Sequence, residues 1–387
     1  MAKPDYGHGM RSLWPLDAGA IYLNHGTVGV TPVEVMAAQW DIKQRIEAHP
    51  ARFMLRDMKP GLRAAADRVA ALLGGRGEDY VFTDNATTGI NAVLRSADLG
   101  PGDEVLVTDH TYGAVANGAR YACERAGATL VTVEIPFPIQ DQDQAVAAIE
   151  SGLSTETRLV ILDHITSETG IVLPLRQLVD LCHDAGAQVL VDGAHAPGTI
   201  DLDIPGCGAE WYAANLHKWL FAPRGCGVLW ADARVQQDLH PAVISWRLGE
   251  GFTAEFDWTG TRDPSPFLSL PAALEFRDRI GGDEIMNYNH ALAVGGAQIL
   301  ADRFGGGPGA PSWLTASMGL APLPENLAPG KEEAEALRDH LLYKHNIEVP
   351  IIAWSGRLWA RAAAQVYCQM SDFEILADAV AAWAADR

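Results

Sequence analysis

Asp192 closes the apolar run Val189-Leu-Val-Asp192 and is followed at once by Gly193-Ala-His195-Ala-Pro197. A carboxylate at the end of such a run can hold a cation in a cleft, or it can cap the next helix. Further along, Asn215-Leu-His217-Lys218 leads into the breaker-rich Phe221-Ala-Pro-Arg-Gly-Cys-Gly227, with Trp211, Tyr212, Trp219, Leu220 and Phe221 around the lysine. A lysine beside a Gly-rich turn is commonly a solvated surface residue. Packed among aromatics it loses hydration, its pKa falls, and the amine becomes a better nucleophile. Upstream, Phe82-Thr-Asp-Asn-Ala-Thr-Thr-Gly-Ile-Asn91 leaves one run and opens a helical pattern. Small hydroxyl residues and free amides at a helix N-terminus suit a phosphate, while plain N-capping by Thr87 or Thr88 accounts for them equally well. Each signal is weak alone. Their order gives them weight: a phosphate-type turn, the aromatic Tyr112 after the next run, a terminal acid, then His-Lys.

Elements able to position such residues are visible between about residues 80 and 231. The β-branched runs are Tyr80–Thr83, Glu104–Thr108, Thr129–Glu134, Leu159–Asp163, Val189–Asp192 and Gly227–Trp230, and the stretches Gly113–Arg125, Asp143–Gly152 and Leu175–Ala185 between them read as helices. Strands apolar nearly throughout, alternating with helices, predict a mostly parallel sheet covered on both faces, with ligands at the carboxyl ends of its strands. Two helices, about Pro32–Ala48 and Pro60–Leu73, precede this region. After residue 265 come helices over Pro271–Arg279 and Asp283–Phe304, the breaker-rich Gly305–Pro311, helix–strand units, and a closing helix over Asp372–Arg387. The expected fold class is α/β, with an N-terminal arm (1–20), a large cofactor-binding domain (21–265) and a smaller C-terminal α/β domain (266–387). No internal repeat or low-complexity segment interrupts it.

The chain of 387 residues is 48% hydrophobic and 20% charged, the balance of a folded protein. With 49 acidic against 29 basic residues, the net charge of −20 opposes nucleic-acid and anionic-membrane partners. The five cysteines (Cys123, Cys182, Cys207, Cys226, Cys368) are scattered without CxxC spacing, which argues against a disulfide framework and a metal site. No apolar run reaches the ~18 residues of a membrane span, and the N-terminus has no signal-like apolar region, so the expected location is the cytoplasm.

Taken in order, these phrases resemble the aminotransferase class V family of pyridoxal-phosphate enzymes, which have the type I fold, and within it the isopenicillin N epimerase-like branch. The resemblance runs from Ile21-Tyr-Leu-Asn-His-Gly26 to Arg361-Ala-Ala-Ala-Gln-Val-Tyr367. It includes Asn85-Ala-Thr-Thr-Gly89, Asp109-His-Thr-Tyr-Gly-Ala114, Val191-Asp-Gly-Ala-His195, His217-Lys218 and Asp257-Trp-Thr-Gly-Thr-Arg-Asp-Pro264. The resemblance implies that Lys218 links covalently to pyridoxal 5'-phosphate. Asp192 would keep the pyridinium nitrogen protonated, His195 and Ser167 would approach the phenolic oxygen, and Tyr112 would stack on the ring. Ala86, Thr87, Asn215 and His217 would hold the phosphate, with Thr261 arriving from the second subunit of a homodimer. Arg361 is the expected bidentate clamp on the substrate carboxylate, and Asn24 and His25 are candidates for the substrate pocket.

Bland roles stand beside these. His110 reads as a strand-end residue, Cys226 as packing, and Arg56 and Arg247 as substrate contacts or surface pairs. Two departures from the family pattern bear on the reaction. The segment Val349–Arg361 lacks the cysteine that desulfurases carry before the carboxylate arginine, which argues against persulfide chemistry. Arg361-Ala-Ala363 also replaces the branch's usual Arg-Ile-Ser. The resemblance favours epimerase-like chemistry at the α-carbon of an amino acid, with a C–S β-lyase or an aminotransferase as alternatives. From a different class, a non-catalytic pyridoxal-phosphate-binding sensor is the remaining alternative; the intact Lys218, Asp192 and Arg361 favour an enzyme.

Overall fold

The computed structural model describes residues 5–385 and 387. Its strands are β1 (Ile21–Tyr22), β2 (Tyr80–Thr83), β3 (Glu104–Thr108), β4 (Thr129–Val133), β5 (Thr157–Asp163), β6 (Gln188–Asp192), β7 (Trp211–Asn215), β8 (Gly227–Ala231), β9 (Met318–Pro322), β10 (Ile347–Glu348), β11 (Ile351–Trp354) and β12 (Arg357–Ala363). Seven of them form one sheet in the order β2-β8-β7-β6-β5-β3-β4. Only β8 runs against the rest, so β2, β3, β5, β6 and β7 all present their carboxyl ends to one edge. The chain reverses its direction of travel between β3 and β5, because β4 lies outside β3. That places a crevice at the edge where ligands bind in open sheets of this kind.

Strands β6, β7 and β8 are buried almost throughout, and apolar clusters cover the sheet on both faces. This two-sided burial explains why their sequences are continuous apolar runs. β7 is not among the six β-branched runs, because Trp211-Tyr-Ala-Ala-Asn215 contains no Val, Ile or Thr. It becomes a strand because β6 and β8 pair with it on both sides, an instance of tertiary context overriding local propensity. Local chemistry is clearer at the helices: Asp141 and Gln144 form a reciprocal capping box, and Gly127, at φ 74°, ends the helix Gly113–Ala126.

Near the C-terminus, β9, β12 and β11 form an antiparallel sheet, with Arg361 of β12 opposite Leu320 of β9. The long helix Glu284–Phe304 packs on β9 and on the final helix Met370–Ala385. β1 pairs in parallel with β10, and Asn24 bridges to Ala363. The segment just before residue 27 is therefore hydrogen-bonded to the C-terminal part of the chain. No described helix is long and apolar enough to cross a membrane.

Candidate active site

Lys218 leaves β7 on a tight turn whose amides are tied down. The N–H groups of Leu216 and His217 both donate to the Cys226 carbonyl at 3.0 Å, as does the ring Nδ1 of His217. A Cβ on Gly29 (φ 67°) would lie 2.0 Å from the His217 carbonyl oxygen, so only glycine lets the N-terminal segment approach this turn. His25 completes the hold. A carbonyl only accepts, so His25 Nε2 donates to the Lys218 carbonyl (2.9 Å) and its Nδ1 accepts from the Tyr367 hydroxyl (2.8 Å). The backbone of the lysine is thereby pinned from the C-terminal sheet side.

The Lys218 side chain is 8% exposed, and its Nζ lies 3.0 Å from His195 Nε2. Burial lowers its pKa from the ordinary lysine value to about 7, with Asp192 resisting the shift and Arg361 adding to it. His195 is held neutral by burial and by the neighbouring Lys218 and Arg361 charges, and its Nδ1 has no hydrogen-bond partner among the described residues. An amine about half neutral at pH 7, next to a neutral imidazole, can act as nucleophile and base near that pH.

Asp192 ends β6, is buried, and accepts the Ala194 amide at 3.0 Å. Asn215, at the end of β7, accepts the Ala86 amide at 2.9 Å, while Asn85 caps the helix Ala86–Ser96 by accepting the Thr88 amide at 2.9 Å. The first turn of that helix is thus pinned against the sheet. A Cβ on Gly227 would meet Asn85 Cα at 2.7 Å, which is why β8 begins with glycine. The helix N-terminus, with Thr87, faces the same cleft as Lys218 and offers an anion site.

Arg361 projects from β12 and is 5% exposed. It donates to the Thr27 hydroxyl at 2.7 Å and to the Ser167 carbonyl, while its Nε has no partner among the described residues. Burial lowers its pKa to about 10, opposed by Glu168 and Tyr112. A buried guanidinium with an unspent donor, in the same cleft as Lys218, is suited to a carboxylate.

Ala86, Thr87, Tyr112, Ser167, Asp192, His195, Asn215, His217, Lys218 and Arg361 line one cleft of ≈ 630 Å³. Thr27, Asp163 and Glu168 line it too, though sequence patterning singled out none of them; the one hint was that Thr27 and Glu168 sit beside residues already named. The cleft is flanked by Gly26 and Thr27 instead of Asn24 and His25. Asn24 donates to Glu348 at 3.0 Å, and His25 is wholly buried in the Lys218 backbone contact. Thr261 is exposed and lies in a second cavity of ≈ 600 Å³. His110 is buried between the Thr169 hydroxyl (2.6 Å) and Trp354, and Cys226 is buried in the lysine turn. Arg56 is exposed, and Arg247 pairs with Glu250 at 2.7 Å.

A family model described as Aminotransferase class-V matches residues 21–303. The chain is 33% identical over 92% of its length to a probable chloroplastic L-cysteine desulfhydrase of Arabidopsis thaliana, covering 82% of that protein. It is 31% identical over 94% of its length to an isopenicillin N epimerase of Amycolatopsis lactamdurans, covering 95% of that protein. Among solved structures it resembles the cystine C-S lyase C-DES in complex with its product cysteine persulfide. There the TM-score is 0.79 at 24% identity, with 94% of this chain and 98% of that one covered.

Proposed function

The chain belongs to the aminotransferase class-V family of pyridoxal-phosphate enzymes, and on that premise we propose that it is a lyase cleaving the C–S bond of a cysteine-type amino acid by β-elimination. The observation carrying this reading is a buried lysine of lowered pKa, Lys218, in one cleft with a buried arginine whose Nε is unspent. Similarity to proteins named L-cysteine desulfhydrases, at 32–33% identity, supports sulfur as the leaving atom. The residues fit pyridoxal phosphate. The unpartnered ring nitrogen of His195 beside Lys218, the buried Asp192 and the helix N-terminus at Thr87 offer partners for a phenolic oxygen, a ring nitrogen and a phosphate.

When bound, the cofactor supplies an electrophilic carbon for the substrate amine and a ring that spreads the negative charge left at the α-carbon. The protein does the rest. Arg361 fixes the α-carboxylate and so orients the Cα–H bond. Lys218 takes the α-proton, its lowered pKa leaving about half the amine neutral at pH 7. Asp192 would hold the ring nitrogen of the bound cofactor in its protonated form. The electron pair left at Cα expels the β-sulfur, and the Lys218 ammonium can return a proton to it. The balanced outcome for cysteine is cysteine plus water giving pyruvate, ammonia and hydrogen sulfide.

Epimerisation is the second reading. Tyr112 supports it, a half-exposed phenol lining the cleft, together with the similarity to isopenicillin N epimerases. The holoenzyme is to be incubated with L-cysteine, L-cystine and bulkier L-amino acids in D₂O. Sulfide and pyruvate released in step with amino-acid loss is the expected result. A deuterated D-amino acid without sulfide would favour epimerisation, and spectral binding without α-deuterium exchange would leave a sensor.

The active unit in this reading is a homodimer, because Thr261 lines a different cavity from Lys218 in its own subunit. The second cavity beside it is lined by Leu55, Trp246 and Trp258, with Trp246 90% exposed and Leu55 69% exposed. Apolar surface of this kind marks an interface. Trp246→Glu should sediment as a monomer and retain pyridoxal phosphate less well. A wild-type protein fully active as a monomer in analytical ultracentrifugation would overturn the shared site.

A further inference from the structure

Asp163 ends β5 as Asp192 ends β6, and the two are direct register partners in the parallel ladder. Register partners in neighbouring strands point to the same face, their Cα atoms about 4.8 Å apart. Asp163 is 1% exposed and Asp192 4%, and both line the cleft. Their surroundings differ. Burial raises the Asp192 pKa too, but the Ala194 amide that it accepts and the Lys218 charge both oppose that rise and favour its ionised form. Asp163 has the Thr111 hydroxyl beside it, and its Oδ2 has no hydrogen-bond partner among the described residues. Behind the sheet, His164 and Tyr212 are both held neutral by burial and hydrogen-bond each other at 2.7 Å, so neither supplies a counter-charge. His195 is neutral as well.

Two buried carboxylates this close do not both stay ionised: Lys218 favours the charge on Asp192, and that charge pushes a proton onto Asp163. As a carboxylate, Asp163 would leave a bare oxygen unpaired in a dry site. As a carboxylic acid, the same oxygen carries a donor, and its register partner Asp192 presents an acceptor on the same face. We propose that Asp163 is a positioning residue, a neutral acid whose proton hydrogen-bonds Asp192 and fixes that carboxylate, ionised, toward the ring nitrogen of the cofactor. The assignment rests on Asp192 holding that nitrogen. Burial and the Asp192 charge both raise the Asp163 pKa, consistent with this arrangement.

Three variants separate the possibilities. Asp163→Asn keeps a donor and removes the ionisable proton, Asp163→Ala removes both, and Asp192→Asn removes the charge assigned to the cofactor. Affinity for pyridoxal phosphate is read by fluorescence on reconstituting apoprotein. The state of the carboxyl is read by infrared spectroscopy, since a protonated carboxyl has a carbonyl stretch distinct from that of any carboxylate. The pH at which the visible band of the bound cofactor titrates is followed in all three. The expectation is that Asp163→Asn keeps cofactor affinity within about threefold and loses the protonated-carboxyl band. Asp163→Ala should weaken affinity by roughly tenfold, the worth of one hydrogen bond to a charged group, and shift the visible titration that Asp163→Asn leaves in place. If Asp163→Asn weakens binding as much as Asp192→Asn, or the infrared band survives in Asp163→Asn, Asp163 is not the proton carrier and the proposal fails. If Asp192→Asn alone leaves affinity and spectrum unchanged, the assignment of Asp192 itself falls. Should Asp163→Ala not fold, the near-isosteric asparagine and the infrared band decide.

Discussion

Lys218→Ala should abolish the borohydride-reducible link to pyridoxal phosphate and lower kcat/KM by at least about a thousandfold, since it removes nucleophile and general base together. Some cofactor should still bind through contacts at the Thr87 helix end and at Asp192. Reduced peptide mapping that placed the adduct on another lysine would overturn the assignment. The pH dependence follows from the same residue. Burial lowers the Lys218 pKa to about 7, so the neutral amine dominates above pH 7 and is lost by about tenfold per unit below it. At pH 7 its neutral fraction exceeds that of an exposed lysine by roughly a thousandfold. The rate at which free pyridoxal phosphate joins the apoprotein should therefore rise to a plateau just above neutrality; a rate still climbing steeply at pH 9 would show an ordinary lysine.

Arg361→Ala should raise KM for α-amino acids by about a hundredfold, with little change in the visible spectrum of the bound cofactor. Removing one partner of a desolvated charge pair costs ~3 kcal/mol. The guanidinium serves the carboxylate before and during reaction alike, so the loss falls mainly on binding. Amines lacking a carboxylate should react almost as before. Arg361→Lys should recover only part of the affinity, because a single ammonium cannot hold the Thr27 hydroxyl, the Ser167 carbonyl and a substrate oxygen in one plane. Unchanged KM in Arg361→Ala would refute the clamp, and the alternatives are poor, since Arg56 is exposed outside the cleft and Arg247 is paired to Glu250.

Much of this site can be read from the chain alone. A strand ending in an acid, a turn opening a helix and a lysine among aromatics are local patterns, because sheet edges, helix starts and buried turns each impose local composition. Residues that end parallel strands share an edge whatever the loops do, so Asp192, Asn215 and the Ala86–Thr87 turn were bound to meet once the sheet was parallel. Contacts made across the fold leave no such trace. Thr27 reaches Arg361 because β1 pairs with β10, far along the chain, and Asn24 and His25 turn away from the cleft for the same reason. β7 is a strand because its neighbours pair with it, despite a sequence without β-branched residues. Asp163 beside Asp192 depends on the register between two strands, which no single strand encodes. Sequence by itself settled which residue types end which elements. Tertiary structure alone settled which of those ends are desolvated together, and desolvation is what turns a lysine into a base and a pair of acids into a shared proton.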